Sequence, residues 1–278
     1  ARYAAQFDRW EGPIVEPQER AAAAAASVPQ ALKDDIRFAH DNIRRFAEAQ
    51  KATISDTEIE IVPGFRAGQR TIPMAAAGCY VPGGRYSHIS SALMTITTAK
   101  VAGVRHVTAC SPPKPGAGIP APILFAMDLC GADTILAVGG IQGVAAMAFG
   151  QFGVPRADIL VGPGNQYVAE AKRLLYGEVG IDMFAGPTDS MVIADATADP
   201  ETVAWDLVGQ AEHGYNSPVW LVTTSAPLAE AVAARVPRLI ATLPEPNAGN
   251  AEAAWRDHAE IVLCDTAEEM AQVSDRYG

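Results

Sequence analysis

Basic residues are scarce in this chain. Its 21 Lys and Arg stand against 32 Asp and Glu, a formal net charge of -11, which argues against a nucleic-acid-binding surface. Long apolar runs are missing too: no stretch approaches the roughly 20 residues that a membrane-spanning helix needs. Cys79, Cys110, Cys130 and Cys264 show no Cys-x-x-Cys or other metal-ligand spacing and read as buried thiols of a reduced protein. Cys79 lies beside a glycine loop, but no base can be paired with it, and it is taken as structural. The Gly-x-Gly-x-x-Gly fingerprint of many dinucleotide sites is absent, and no signal-peptide pattern is visible. The expectation is a cytoplasmic, soluble protein with no nucleic-acid or membrane partner. Its 278 residues, 49% of them hydrophobic, suffice for one sizeable core or two.

What the chain does have is a series of short apolar runs, each followed by a Gly/Pro turn. His106 to Cys110 runs into Ser111-Pro112-Pro113, and Thr134 to Val138 into Gly139-Gly140-Ile141-Gln142. Asp158 to Val161 runs into Gly162-Pro163-Gly164-Asn165, and Gly180 to Phe184 into Ala185-Gly186-Pro187-Thr188. Most of these turns lead into helical patterns, such as Gly143 to Phe149 and Tyr167 to Leu175. Strands alternating with helices imply an α/β fold with mostly parallel sheets, in which all the turns fall on one edge and ligands bind there. Small residues let backbone approach a ligand closely, and the helix amino ends that follow offer N–H groups to an anion such as a pyrophosphate.

A second feature is Gln210-Ala211-Glu212-His213-Gly214. Pro200 and Glu201 open a helix, apolar residues continue it, and Gly214 is expected to stop it after His213. Gln210 and His213, three residues apart on one helix face, can then converge on one metal ion. Zinc accepts an imidazole nitrogen and an oxygen ligand, and a catalytic zinc keeps room for substrate. His40, His106 and His258 lack such company and read as surface or packing residues.

The runs Gly78-Cys-Tyr80-Val-Pro82-Gly-Gly84, Gly139-Gly-Ile-Gln142, Gly162-Pro-Gly-Asn165-Gln-Tyr-Val-Ala-Glu-Ala-Lys172-Arg173, Ile181-Asp-Met-Phe-Ala-Gly-Pro-Thr188, Val192-Ile-Ala-Asp195 and Gln210-Ala-Glu-His-Gly214 occur in the order and approximate spacing of the histidinol dehydrogenase family. The resemblance covers nearly all of the chain from about Gly78 onward. It implies two Rossmann-like domains, one inserted into the other: residues 1–79 with 189–278 as the first, carrying the zinc ligands, and 80–188 as the inserted NAD-binding domain. It implies a dehydrogenase that uses NAD and Zn2+ to oxidise a small primary alcohol through an aldehyde to a carboxylate, working as a homodimer whose site the partner subunit completes. By the same resemblance Tyr80, Gln142 and Asn165 contact NAD, Thr188 meets substrate, and Gln210 and His213 bind both zinc and substrate.

The chain also departs from the histidinol pattern. Thr188-Asp189 and Tyr215-Asn216 stand where that family usually has Ser-Glu and Pro-Asp, and Arg85-Tyr86-Ser87-His88-Ile89-Ser90-Ser91 looks like the sulfopropanediol 3-dehydrogenase branch, whose substrate is 2,3-dihydroxypropane-1-sulfonate and whose product is sulfolactate. Arg85 then becomes a candidate for the sulfonate, since a guanidinium forks onto oxyanions. Competing readings are an L-histidinol dehydrogenase, a nucleotide-binding module without catalysis, and a zinc hydrolase, which would give Tyr80, Gln142 and Asn165 no role. No catalytic acid or base is assigned within the chain. In the family a Glu-His pair follows a segment that would begin at Arg276-Tyr277-Gly278, and the remaining zinc ligands lie beyond it. At the other end Tyr3, Phe7 and Trp10 stand at helical spacing, as in the middle of an amphipathic helix. Both ends suggest part of a longer enzyme.

Overall fold

The computed structural model describes residues 2–83, 88–183 and 188–277. The chain divides into two compact units, Ala1–Gly186 and Pro187–Gly278.

In the first unit, helices α1 (Gln18–Ser27) and α2 (Gln30–Ala52) precede a hairpin of β1 (Thr57–Val62) and β2 (Phe65–Gln69). The hairpin is antiparallel, and every one of its residues is exposed on both faces. Then come β3 (Ala76–Tyr80), α3 (Ile89–Ala102), β4 (His106–Ser111), α4 (Ala121–Leu129), β5 (Thr134–Ala137), α5 (Gly140–Ala148), β6 (Ile159–Val161), α6 (Gln166–Leu175) and β7 (Gly180–Ile181). The five strands from β3 onward form one all-parallel sheet in the order β5-β4-β3-β6-β7. Strand periodicity explains its two cores. Ala77, Cys79, Val107, Ala109, Ile135 and Ala137 point to the face that packs with Ile96, Ile123, Leu124 and Met127 of α3 and α4. Tyr80, Cys110, Leu136 and Leu160 point to the other face and meet Val144, Met147 and Val168 of α5 and α6. A sheet buried on both faces needs apolar residues at every position, hence the continuous Val/Ile/Leu/Ala runs in the sequence.

The second unit repeats the logic on a smaller scale: β8 (Ser190–Ala194), α7 (Pro200–Ala211), β9 (Val219–Thr223), α8 (Ala226–Ile240), α9 (Asn247–His258), β10 (Ala259–Leu263) and α10 (Ala267–Tyr277). The strands are parallel in the order β10-β9-β8. Leu207, Val208, Leu221, Val232 and Val236 form the larger core, and Val222, Met270 and Val273 a smaller one against α10.

Some expectations are corrected. The amino-terminal helix is shorter than expected: residues 2–3 are α-helical and Ala4–Asp8 π-helical, and Arg9 ends the helix at φ 51°, before Trp10. Tyr3 and Phe7 stack on each other in solvent, whereas Trp10 is buried and donates its ring N–H to Pro13 O. Strand β7 is shorter than the run from Gly180 suggested. Helix α7 ends at Ala211, so His213 lies in the turn beyond it rather than on its face. Residues before Ala76 pack with the first unit, α1 against α4 and α2 against α3. The division into 1–79 with 189–278 around an inserted 80–188 is carried forward as a proposal. No helix among the described residues is long and apolar enough to cross a membrane.

Candidate functional site

In the five-stranded sheet the strand order reverses between β3 and β6, and in parallel sheets ligands bind outside the carboxyl ends of the strands at such a switch. The turn after β6 takes its form from Gly162. Its φ is +116°, and a Cβ there would stand 2.1 Å from the Tyr80 carbonyl oxygen, so only glycine lets the two strand ends lie this close. Asn165 then caps α6, its Oδ1 accepting from Tyr167 N–H at 3.0 Å and Val168 N–H at 3.2 Å. The carbonyl end of this exposed side chain is committed to the helix, and its amide end is the part that could meet a ligand.

Tyr80 and Gln142 converge on the amino end of α5. The buried Tyr80 hydroxyl accepts from Gly140 N–H at 2.9 Å, and burial pushes its phenol well above the usual range, so it stays protonated. Gln142 donates through Nε2 to the Asp8 carboxylate at 3.3 Å, and Gly139 N–H points to the same oxygen at 3.3 Å. An acidic side chain is favoured at a helix amino end, and Asp8 holds the place where an anionic ligand would approach. The sequence reading gave Asp8 no role, because nothing in Phe7-Asp8-Arg9 signals a partner more than a hundred residues away. Lys172 and Asp182 were quoted in motifs without a function, yet they form an ion pair beside Gly162 whose lysine is buried and whose carboxylate reaches solvent. Lys172 follows Val168 and precedes Leu175 at helical spacing, and a charge on that apolar stripe was the available signal.

In the second unit Asp199 caps α7, accepting from Thr202 N–H at 3.0 Å. At the other end Gln210 Nε2 donates to Thr188 O at 2.8 Å, which joins two of the expected site residues. His213 remains near Gln210 through a tight turn, its N–H donating to Gln210 O at 3.1 Å, and its side chain is exposed. The amide oxygen and imidazole suit zinc, but among the described residues no group of three or more His, Cys, Asp or Glu could hold a metal. Arg85, the expected sulfonate partner, lies outside the described residues.

All four cysteines are buried and unpaired by disulfides. Burial pushes the Cys79 thiol up to about 12, so it is not a nucleophile at neutral pH, in keeping with the structural role read from the sequence.

A family profile described as histidinol dehydrogenase matches residues 1–278. A protein of Ruegeria pomeroyi described as sulfopropanediol 3-dehydrogenase is 66% identical over 275 residues, which are 99% of this chain and 63% of that relative. The histidinol dehydrogenase of Salmonella typhi is 43% identical over 281 residues, covering 99% of this chain and 62% of its own length. Among solved structures, histidinol dehydrogenase from Elizabethkingia anophelis superposes with a TM-score of 0.90 at 36% identity, over 99% of this chain and 63% of that one. The chain thus spans under two thirds of the length of these relatives.

Proposed function

Because this chain belongs to the histidinol dehydrogenase family, we propose that the protein is a zinc- and NAD-dependent dehydrogenase that oxidises a primary alcohol through its aldehyde to a carboxylate. The alcohol is 2,3-dihydroxypropane-1-sulfonate and the product sulfolactate. The observation that carries the substrate is the higher identity to the relative described as sulfopropanediol 3-dehydrogenase than to the Salmonella typhi histidinol dehydrogenase. The Arg85 to Ser91 run agrees with it. The family's description favours a second reading, L-histidinol as the alcohol.

The chain's residues divide the work. At the carboxyl edge of the five-stranded sheet, Tyr80, Gln142 and Asn165 hold the dinucleotide. Asn165 contributes the amide end that its capping bond leaves over, and Tyr80 fixes the Gly140 peptide. In the second unit, the bond from Gln210 Nε2 to Thr188 O orients the side chain so that Oε1 serves as the metal ligand. Gln210 and His213 hold zinc, with further ligands from elsewhere in the protein. Thr188 offers a hydroxyl to substrate, and Arg85 pairs with the sulfonate. Zinc, when bound, supplies Lewis acidity and NAD accepts hydride. The same proposal includes Rossmann-like domains with 80–188 inserted between 1–79 and 189–278 in the full-length protein, a homodimer, and a cytoplasmic setting.

The test is stoichiometric and comparative. The full-length protein, given 2,3-dihydroxypropane-1-sulfonate and excess NAD, is expected to form two NADH per alcohol without accumulating aldehyde. It should prefer the sulfonate to L-histidinol by roughly a hundredfold in kcat/KM, because a mispaired buried charge costs several kcal/mol. A preference for histidinol overturns the substrate assignment, and one NADH per alcohol overturns the two-step oxidation.

A further inference from the structure

Both backbone polar groups of one residue in the dinucleotide turn are held by charged side chains. Gly162 N–H donates to Asp182 Oδ2 at 2.7 Å, and Gly162 O accepts from Lys172 Nζ at 3.0 Å. Lys172 and Asp182 also bond to each other through Nζ and Oδ1, and Met183 N–H donates to that same Oδ1 at 2.7 Å. Lys172 is 2% exposed. It sits on the apolar face of α6 between Val168 and Leu175, where its side chain leans toward the helix amino end and so reaches back ten residues to Gly162. Asp182 stands at the carboxyl end of β7, beside β6, so helix and sheet grip the turn from two sides.

An ion pair with its lysine buried is a poor way to gain stability, since desolvation of that charge offsets much of the attraction and apolar replacements often do as well. What the pair supplies is geometry. Gly162 lies close against the Tyr80 backbone, and the direction of the chain from Gly162 to Asn165 sets where the α6 amino end and the Asn165 amide point. Fixing both the N–H and the C=O of Gly162 fixes that direction.

We infer that Lys172 and Asp182 are positioning residues that hold the Gly162–Asn165 turn in the form that receives the dinucleotide. The inference rests on the NAD reading of this edge. Neither residue is placed on the cofactor; they act through the turn.

The experiment measures NADH binding by fluorescence titration, together with KM for NAD and for the alcohol, in the full-length protein. The double variant Lys172→Met/Asp182→Leu replaces the pair by apolar groups of similar size. It is expected to keep a melting temperature near that of the parent while binding NADH more weakly by about tenfold or more, as for lost hydrogen bonds to charged groups. KM for the alcohol should stay within about twofold, because uniform binding of the other substrate is untouched. If the double variant does not fold, Asp182→Asn and Lys172→Gln carry the same measurement, with smaller losses of NADH affinity expected because each retains a polar partner for Gly162. A folded variant that binds NADH as tightly as the parent, or that loses alcohol and NADH affinity alike, overturns the inference and leaves the dinucleotide reading standing. A parent that does not bind NADH overturns both.

Discussion

Single residues in this protein have their freedom removed by neighbours near and far in sequence, and two substitutions probe that. His213 follows α7 in a turn whose N–H bonds to Gln210 O, so its ring is carried on a short, fixed lever. In the full-length protein His213→Ala is expected to remove bound zinc and turnover together, since imidazole is the strongest donor named here. Metal analysis finding zinc retained in that variant would sink the ligand assignment. Gly162 is constrained by space instead. Adding one methyl group at φ +116°, 2.1 Å from a backbone oxygen, forces β3 and β6 apart, and Gly162→Ala should cost on the order of 3 kcal/mol in denaturant unfolding. A loss below half a kilocalorie would mean that the turn relaxes cheaply.

Whole elements are tied at the opposite, amino-terminal edge of the sheet by Asp133. Its Oδ2 accepts from Val107 N–H at 2.7 Å and from Lys100 Nζ, joining the end of α3 to the starts of β4 and β5. Burial alone would raise its pKa, but the bonds from Lys100 and Val107 outweigh that and hold it below the ordinary value of 3.8. A carboxyl depressed in the folded state contributes stability above its unfolded pKa and loses it as pH falls through the folded one. Native protein should therefore lose stability below about pH 4 more steeply than Asp133→Asn, and parallel acid-unfolding curves would refute this. The elements themselves were largely legible in the sequence. Runs such as Thr134 to Ala137 and Val219 to Thr223 are apolar apart from a threonine at one end, as suits a doubly buried parallel strand. Strand β2, Phe-Arg-Ala-Gly-Gln, was not, because a strand packed on nothing has no apolar alternation to display. The helix read from Tyr3, Phe7 and Trp10 stops at Asp8, because Arg9 turns left-handed, so Trp10 shares the spacing without sharing the helix. At the sites, Tyr80, Gln142, Asn165, Thr188 and Gln210 could be named from ordered motifs. The bonds from Asp8 to Gln142, from Lys172 to Gly162 and from Thr188 to Gln210 could not, because they depend on where the chain returns.

Across the whole molecule, protection from solvent is uneven in a way that secondary structure does not foretell. The β1–β2 hairpin is paired along its length, with one register shift between Glu60 and Val62, but neither face is covered, and Ile59, Ile61, Val62 and Phe65 all stand in water. An isolated two-stranded hairpin is marginally stable at best. Its amides should therefore exchange with deuterium by local opening at rates set by the hairpin alone, whereas those of β3 and β4 wait for far larger openings. Pulse labelling resolved by mass spectrometry is expected to show residues 57–69 deuterated first among all the strands. Should the hairpin instead exchange as slowly as β3, something in solution must be covering it, and the slow rate would itself report that cover.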